Sequence, residues 1–337
     1  MKNKHSKSDL NSANNVIELQ SAANSEPGLR TFVDMFCGIG GFHIAASSLG
    51  MKCVFASDID EHARKAYYSN FGIMPQGDIA RIAAKDVPDH DLLCAGFPCQ
   101  PFSIIGRRKG FEDFRGTLFF EIVRILEVKL PRAFILENVK QLTTIDHGRT
   151  INKILSALRS LGYQVDLKVL NALDFGLPQK RERVIIVGSL DKFTEFPWPV
   201  RKMKMKPLSK ILETNPDEKH LVSDRIRKRR QSSHKSNFKP GIWHENKSGN
   251  ISSYPYSCAL RAGASYNYLL VDGVRRLSPK EMLRLQGFPE SFKIVCTDSQ
   301  TRKQAGNAVP VPLVKAGMKG LLNVVQASEA PRQCQSA

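Results

Sequence analysis

The stretch Thr31-Phe32-Val33-Asp34-Met35-Phe36-Cys37-Gly38-Ile39-Gly40-Gly41-Phe42 decides the fold. Its first half is a short apolar run of strand character, and its second half is a glycine turn leading into a helical pattern. Glycines there permit a tight turn and close approach of backbone to a ligand, and the amides opening the helix can meet a polar group. Seventeen residues after Gly41, Asp58 ends a second strand-like run, where a carboxylate can accept hydrogen bonds from ribose hydroxyls. This pattern suits a nicotinamide dinucleotide and S-adenosylmethionine equally well.

Outward from that stretch, residues 31–36, 53–57, 90–95, 132–136, 164–170 and 184–188 read as strands separated by helical patterns. Within residues 116–129, for example, Leu118, Ile122, Ile125 and Leu126 fall on one helical face. The alternation predicts an α/β fold with a mainly parallel sheet covered by helices on both sides. After Gly188 the rhythm stops. Residues 190–274 are irregular, basic and aromatic-bearing, which predicts a second, smaller domain. Helical patterns return over residues 278–285 and 310–322. Residues 1–29, rich in Ser, Asn and Lys, predict a disordered lead-in.

With 337 residues and 42% hydrophobic content the chain can bury a large core. No run approaches the roughly 20 apolar residues that cross a bilayer, and no secretory signal opens the chain, so a cytoplasmic location with no membrane partner is expected. The seven cysteines, at 37, 53, 94, 99, 258, 296 and 334, form no CxxC pair and have no histidine at zinc-ligand spacing. Neither a disulfide framework nor a metal is predicted. The net charge is +18, and residues 201–239 carry thirteen Lys and Arg against four Asp and Glu, half of the whole excess. Charge concentrated in this way is an electrostatic footprint for a polyphosphate partner.

The apolar run 90–97 ends at Pro98-Cys99-Gln100, where a strand passes into a loop. Cys53 and Cys94 lie within strand-like runs and are expected in the core, which leaves Cys99 as the thiol in a loop with chemical company. Glu137 follows the apolar residues 133–136 at the end of the next strand. Open α/β sheets assemble their sites at such strand ends, so the two side chains can meet in space. A thiol and a carboxyl there suit methylation of cytosine. Carbon 5 of that base is a poor nucleophile until a thiolate adds to carbon 6 and an acid assists at the ring nitrogen.

These residues resemble the DNA (cytosine-5) methyltransferases of bacterial restriction-modification systems, in the family's order from Thr31 to about Leu322. Residues 34–42 look like the cofactor loop, Gly77-Asp78-Ile79 like the adenine-contacting step, and Gly96-Phe97-Pro98-Cys99-Gln100-Pro101-Phe102-Ser103 like the nucleophile loop. Glu137-Asn138-Val139, Gln179-Lys180-Arg181-Glu182-Arg183, Arg284-Leu285-Gln286-Gly287-Phe288-Pro289 and Gly306-Asn307-Ala308-Val309 complete the set. Any one of these motifs is weak, but seven in order are specific.

The resemblance implies a Rossmann-like S-adenosylmethionine-dependent methyltransferase domain with a smaller target-recognition domain. The catalytic and cofactor-binding part would span residues 30–189, the recognition part 190–299, and a helical segment over 300–326 would return to the first, leaving a tail at 327–337. It implies Cys99 as nucleophile, Glu137 as acid, and Arg181 and Arg183 bordering the pocket, with Arg183 the partner of the cytosine carbonyl. Phe36, Gly38, Ile39, Gly40, Gly41, Asp58, Ile59, Asp78, Ile79, Pro98 and Asn307 would hold S-adenosylmethionine. The target base would be flipped out of duplex DNA. Residues 100–115, with Gly106 and Gly110 as hinges, would form a lid over DNA carrying Gln100, Ser103, Arg107, Arg108 and Lys109, with Lys228 in the basic segment as a further DNA contact. The only other partner implied is genetic, a cognate restriction endonuclease, and a monomer is expected.

The chain departs from the family pattern at two places. A Thr-Leu pair of the recognition region appears as Ala259-Leu260, without its hydroxyl, and Ile105 stands where some relatives carry a small polar lid residue. Arg261, Asn267, Asn246, His244 and Lys247 are the candidate base readers, since Arg suits guanine and Asn suits adenine. At least two of Tyr254, Tyr256, Tyr266 and Tyr268 are expected in a small core. Three rivals remain open on the sequence. A transfer-RNA cytosine methyltransferase would need a Cys-Phe-Thr signature that is missing, a nicotinamide-dependent oxidoreductase leaves Cys99 and Glu137 unexplained, and a catalytically dead DNA-binding regulator would not need either residue.

Overall fold

Six strands form the central sheet, in the order β2-β1-β3-β4-β7-β5. They are β1 (Thr31–Met35), β2 (Lys52–Ser57), β3 (Leu92–Gly96), β4 (Ala133–Val139), β5 (Gln164–Asn171) and β7 (Glu182–Ser189), with the short β6 (Gln179–Lys180) just before β7. The computed structural model describes residues 28–98, 118–199 and 202–330. The predicted lead-in up to residue 27, the predicted nucleophile Cys99 and the whole lid with Gln100, Ser103, Ile105, Gly106, Arg107, Arg108, Lys109 and Gly110 lie outside the described residues, whereas Leu29, at the end of that predicted lead-in, is buried in the core. Strands β1 to β4 are parallel, whereas β7 runs antiparallel between β4 and β5. The sheet is thus mainly parallel with one reversed strand, made possible by the short Ala172–Asp174 turn and β6 returning the chain beside β5.

Successive residues of each central strand point to opposite faces, and both faces are covered. Phe32, Cys94, Ile135 and Ile185 pack on one side against the helices α1 (Gly41–Ser47), α2 (Glu61–Phe71) and, near the C-terminus, Val311–Glu329. Val33, Leu93, Phe134 and Ile186 pack on the other against α3 (Leu118–Lys129) and α4 (Arg149–Ser160). This two-sided burial is why the strands read as near-continuous apolar runs. In α3 the buried face is Phe119, Ile122, Ile125 and Leu126, one turn-step away from the predicted Leu118, which is only half-buried. Cys53 and Cys94 are in the core as expected, joined there by Cys37.

The basic region contributes α5 (Asp224–Ser233) and the strands β8 (Ile242–Glu245), β9 (Ile251–Tyr254), β10 (Ser257–Cys258) and β11 (Leu269–Val271). Strands β11, β8 and β9 make an antiparallel sheet, while β10 pairs in parallel with β6 and so ties this region to the arginine motif. Of the four tyrosines, at least two of them expected in its core, Tyr268 alone is buried; Tyr254 and Tyr256 stack on each other half-exposed, and Tyr266 is exposed. The core is instead mainly aliphatic, from Ile242, Leu269, Leu270 and Val271 with Trp243 buried beside them, and most of it is continuous with one face of the main sheet.

Three helices close the chain: α6 (Pro279–Leu285), α7 (Asp298–Asn307) and α8 (Val311–Glu329). A capping box between Ser278 and Glu281 starts α6. The polar α7 has too few apolar residues to announce itself, burying only Thr301, Gln304, Ala305 and Gly306. Helix α8 buries Leu313, Val314, Met318 and Leu321 completely, at roughly 1.5–3 kcal/mol each. An 18-residue window within residues 298–329 is apolar enough in composition to cross a membrane, but 67% of it is buried inside the protein against the sheet.

Candidate active site

A cleft of about 460 Å³ opens at the carboxyl ends of β1, β3 and β4. Of the predicted cofactor residues, Phe36, Gly38, Ile39, Asp58, Ile59, Asp78, Ile79, Pro98 and Asn307 all line it. Gly40 and Gly41 do not. They act behind the loop, where a side chain at Gly40 would run into the ring of Phe71 and one at Gly41 into Val309. Gly40 also has φ 86°, a left-handed conformation that glycine adopts without strain.

The loop's shape is held by Asp58. Its Oδ2 accepts from the Gly38 N–H at 2.8 Å and its Oδ1 from the Asp60 N–H at 2.8 Å, and burial raises its pKa. Each oxygen keeps a second lone pair for a ligand. Phe36 takes φ 54°, strained for a side-chain-bearing residue, and sits on the cleft wall. Ile59 is 76% exposed at the same cleft, an apolar surface suited to the face of a flat ring. Asp78 caps the Ile79–Arg81 turn through Oδ1, and its Oδ2 lies 3.9 Å from Nε of Arg81.

Opposite these groups the register places Gly96 of β3 beside Glu137 of β4. Glu137 is 7% exposed, and its Oε1 lies 2.7 Å from Nε of Arg183 on β7, in the same cleft. Burial raises the Glu137 pKa above the usual carboxylate range; Arg183 and then Arg181 pull the other way. Arg183 therefore belongs to an ion pair rather than to the solvent. Asn138, next to Glu137 on β4, donates to the Phe97 carbonyl at 2.9 Å and so anchors Pro98, the last described residue before Cys99, to β4.

Arg181, predicted to border the base pocket, has a broader part. It is 1% exposed, and Nη1 donates to the Leu260 carbonyl at 2.7 Å, while Nη2 donates to the carbonyls of Gly306 and Ala308 at 2.9 Å each. Burial, then the nearby Arg183, pushes its pKa down to about 9, still charged at neutral pH. Its Nε has no partner among the described residues, and the residue lines the cleft. Beside it Gln179 accepts from the Leu260 N–H and donates to the Leu285 carbonyl and to Gln286, which reaches the carbonyls of Ala305 and Ala308. Gly306 fits only because it lacks a side chain, which would collide with Ala262 and Arg261 backbone.

The arginine, Gln286 and Gly306 motifs are therefore one buried polar network. Of the cleft-lining residues the sequence did not single out, Asp60 and Lys303 form an ion pair at 2.8 Å across 243 positions, a distance in sequence that no local pattern announces. Lys228 sits exposed on α5, remote in sequence from the cleft residues. Among the described residues no His, Cys, Asp and Glu group could hold a metal ion.

An open α/β sheet carrying a nucleotide-type cleft, a buried Glu–Arg pair and a loop that leads directly to a cysteine defines a group-transfer enzyme of the methyltransferase class. Residues 30–323 match the model of the C-5 cytosine-specific DNA methylases, and the chain belongs to that family. It is 54% identical over 291 residues to the Type II methyltransferase M.NgoBI of Neisseria gonorrhoeae, covering 85% of this chain and 91% of that one. It is likewise 54% identical over 295 residues to the Type II methyltransferase M.HaeII of Haemophilus aegyptius, covering 86% and 92%. The fold also matches the solved structure of the Entamoeba histolytica methyltransferase EhMeth with a TM-score of 0.70, at 18% identity over 88% of this chain and 98% of that one. The protein is a DNA (cytosine-5) methyltransferase that uses a methyl-donor cofactor, and the transfer-RNA and oxidoreductase alternatives are not favoured.

Proposed function

We propose that the protein is the protective methylase of a restriction-modification system, transferring a methyl group from S-adenosylmethionine to carbon 5 of a flipped cytosine within one short duplex sequence, with Cys99 as nucleophile. The observation that carries this reading is the Glu137–Arg183 pair in a cleft whose other wall ends at Pro98, one residue before Cys99.

The cleft fits the donor: Asp58 offers acceptors to a ribose, and Phe36, Ile59 and Ile79 offer apolar faces to an adenine. Bound there, S-adenosylmethionine supplies an electrophilic methyl group. The chain's own residues do the rest. The Cys99 thiolate adds to carbon 6 of the cytosine while Glu137 holds a proton at the ring nitrogen, and the electron pair of the 5,6 double bond becomes available at carbon 5. Arg183, fixed by Glu137, orients that carboxyl and presents donors to the base carbonyl. After methylation, loss of the carbon-5 proton re-forms the double bond and expels the Cys99 thiolate. Residues 190–299 supply target recognition in this scheme, and the protein acts as a monomer.

The test is methylation of mixed-sequence plasmid DNA by purified protein and S-adenosylmethionine, followed by bisulfite sequencing, with Cys99→Ala in parallel. 5-Methylcytosine in one repeated short sequence with wild type only is expected. Unmodified DNA, or equal modification by the variant, would refute the assignment.

A further inference from the structure

We propose that Arg261 is the side chain that reads a guanine of the target sequence, an assignment that rests on the DNA-methylating function proposed above. The groove it occupies, about 450 Å³, is lined by Asn246, Lys247, Gly263, Ser265 and Tyr268 among others.

The mounting of Arg261 is rigid on both sides. The preceding residue, Leu260, has its N–H held by Gln179 and its carbonyl by Arg181, so the backbone is bolted to the wall of the catalytic cleft. The N–H of Arg261 itself donates to the Tyr268 hydroxyl at 2.9 Å, and its guanidinium lies over the Tyr268 ring, 4.8 Å from the centroid. Tyr268 is buried, so the platform is fixed. Yet the Arg261 side chain is exposed, and its guanidinium donates to no other described residue. A guanidinium resting over a fixed ring with its N–H groups free is suited to recognise O6 and N7 of guanine as a pair.

The neighbouring polar groups are partly engaged within the fold. Asn246 uses its side-chain oxygen to accept from the N–H groups of Ser248 and Asn250, which closes the β8–β9 turn. Asn267 accepts from Arg276, and its carbonyl from Arg230. Arg302 is drawn to the Ala264 and Ser265 carbonyls, and Arg230 to Glu245. His244 is half-buried, with a pKa lowered by burial and then by Arg261, and stays neutral. Lys247 remains open, but an ammonium is a point charge without the fork. Among these groups, Arg261 combines an unoccupied donor pair, a rigid mount and direct attachment to the catalytic cleft.

The experiment compares wild type, Arg261→Ala and Arg261→Lys on a randomised duplex library read by bisulfite sequencing. It then measures wild type and Arg261→Ala on target duplexes in which each guanine in turn is replaced by 7-deazaguanine, which lacks the N7 acceptor. Arg261→Ala should lose roughly 10- to 100-fold discrimination for guanine at one position, with Arg261→Lys regaining only part of it. The 7-deaza substitution at that position should weaken wild type about tenfold and leave Arg261→Ala unmoved. An unchanged preference profile in Arg261→Ala, a uniform loss over all sequences, or a wild type insensitive to 7-deazaguanine everywhere would overturn the assignment alone. Absence of methylation by wild type would overturn the proposed function and this assignment with it.

Discussion

The cleft and the basic region solve opposite problems with the same residue type. In the cleft, Arg181 is buried and directs both terminal nitrogens to backbone carbonyls, and Arg183 is locked to Glu137. In the basic region, Arg261 and the outer residues of α5, such as Arg225 and Lys228, are exposed and form no ion pair with described residues. In the proposed scheme Arg181 and Arg183 position the chemistry, and Arg261, Arg225 and Lys228 meet DNA. The cleft is accordingly expected to be sensitive to single changes, and the basic surface to respond additively, charge by charge.

The largest effect that could break this contrast is at Glu137. Glu137→Gln keeps the shape but removes the proton supply, and methylation turnover should fall about 10²- to 10⁴-fold under saturating conditions. Because burial raises the Glu137 pKa, the protonated form persists further toward neutrality; wild-type turnover should decline as pH rises through that pKa, and the Gln variant should not share the decline. Next comes Arg181→Ala, which leaves the Leu260, Gly306 and Ala308 carbonyls without their cation. A loss on the order of 3 kcal/mol or more in urea unfolding is expected, and a loss within a few tenths of a kcal/mol would mean that Arg181 is not the staple described above.

A smaller effect with the opposite sign sharpens the contrast from the core. Asp34 is completely buried, and its compensation is incomplete: the His43 N–H and the Tyr67 hydroxyl lower its pKa by less than burial raises it. Burial, then Asp58, raises its pKa well above the carboxylate range. The folded state therefore holds a proton that the unfolded chain releases above about pH 4, so Asp34 lowers stability as pH rises from there toward its folded pKa. Asp34→Asn should raise stability at neutral pH by on the order of 1–3 kcal/mol, with the gain shrinking toward pH 4 in parallel thermal melts. The smallest effect belongs to the surface. Arg225→Ala and Lys228→Ala should each weaken DNA binding a few-fold for all sequences alike and lower the slope of log affinity against log salt by about one.

The half of the molecule that was legible in the sequence is the half whose burial is two-sided. Apolar runs such as 92–96 and 133–136 announce strands because both of their faces are covered, and the glycine turn after β1 announces the cofactor loop. Glu137 was legible because it interrupts such a run. What the sequence concealed was long-range: that β7 reverses direction, that Arg181 spans from Leu260 to Gly306, and that Asp60 meets Lys303. The Arg181 and Asp60 contacts join chain segments more than 70 positions apart, and the direction of β7 is set by its pairing between β4 and β5, so in each case packing rather than local pattern decides. In the basic region the pattern failed for another reason. Its strands are two to four residues long and three of its four tyrosines are half-exposed or exposed, so Tyr254, Tyr256 and Tyr266 mimic core residues without being core.

The central claim is that Cys99 adds covalently to the base while Glu137 assists. A target duplex carrying 5-fluorocytosine tests it directly, because fluorine at carbon 5 leaves no proton to remove and the thiolate cannot be expelled. Wild-type protein with S-adenosylmethionine should form a protein–DNA adduct that survives denaturing electrophoresis, Glu137→Gln should form it more slowly, and Cys99→Ala should form none. An adduct with Cys99→Ala, or methylation of ordinary duplex by wild type with no adduct on the fluorinated one, would contradict the account.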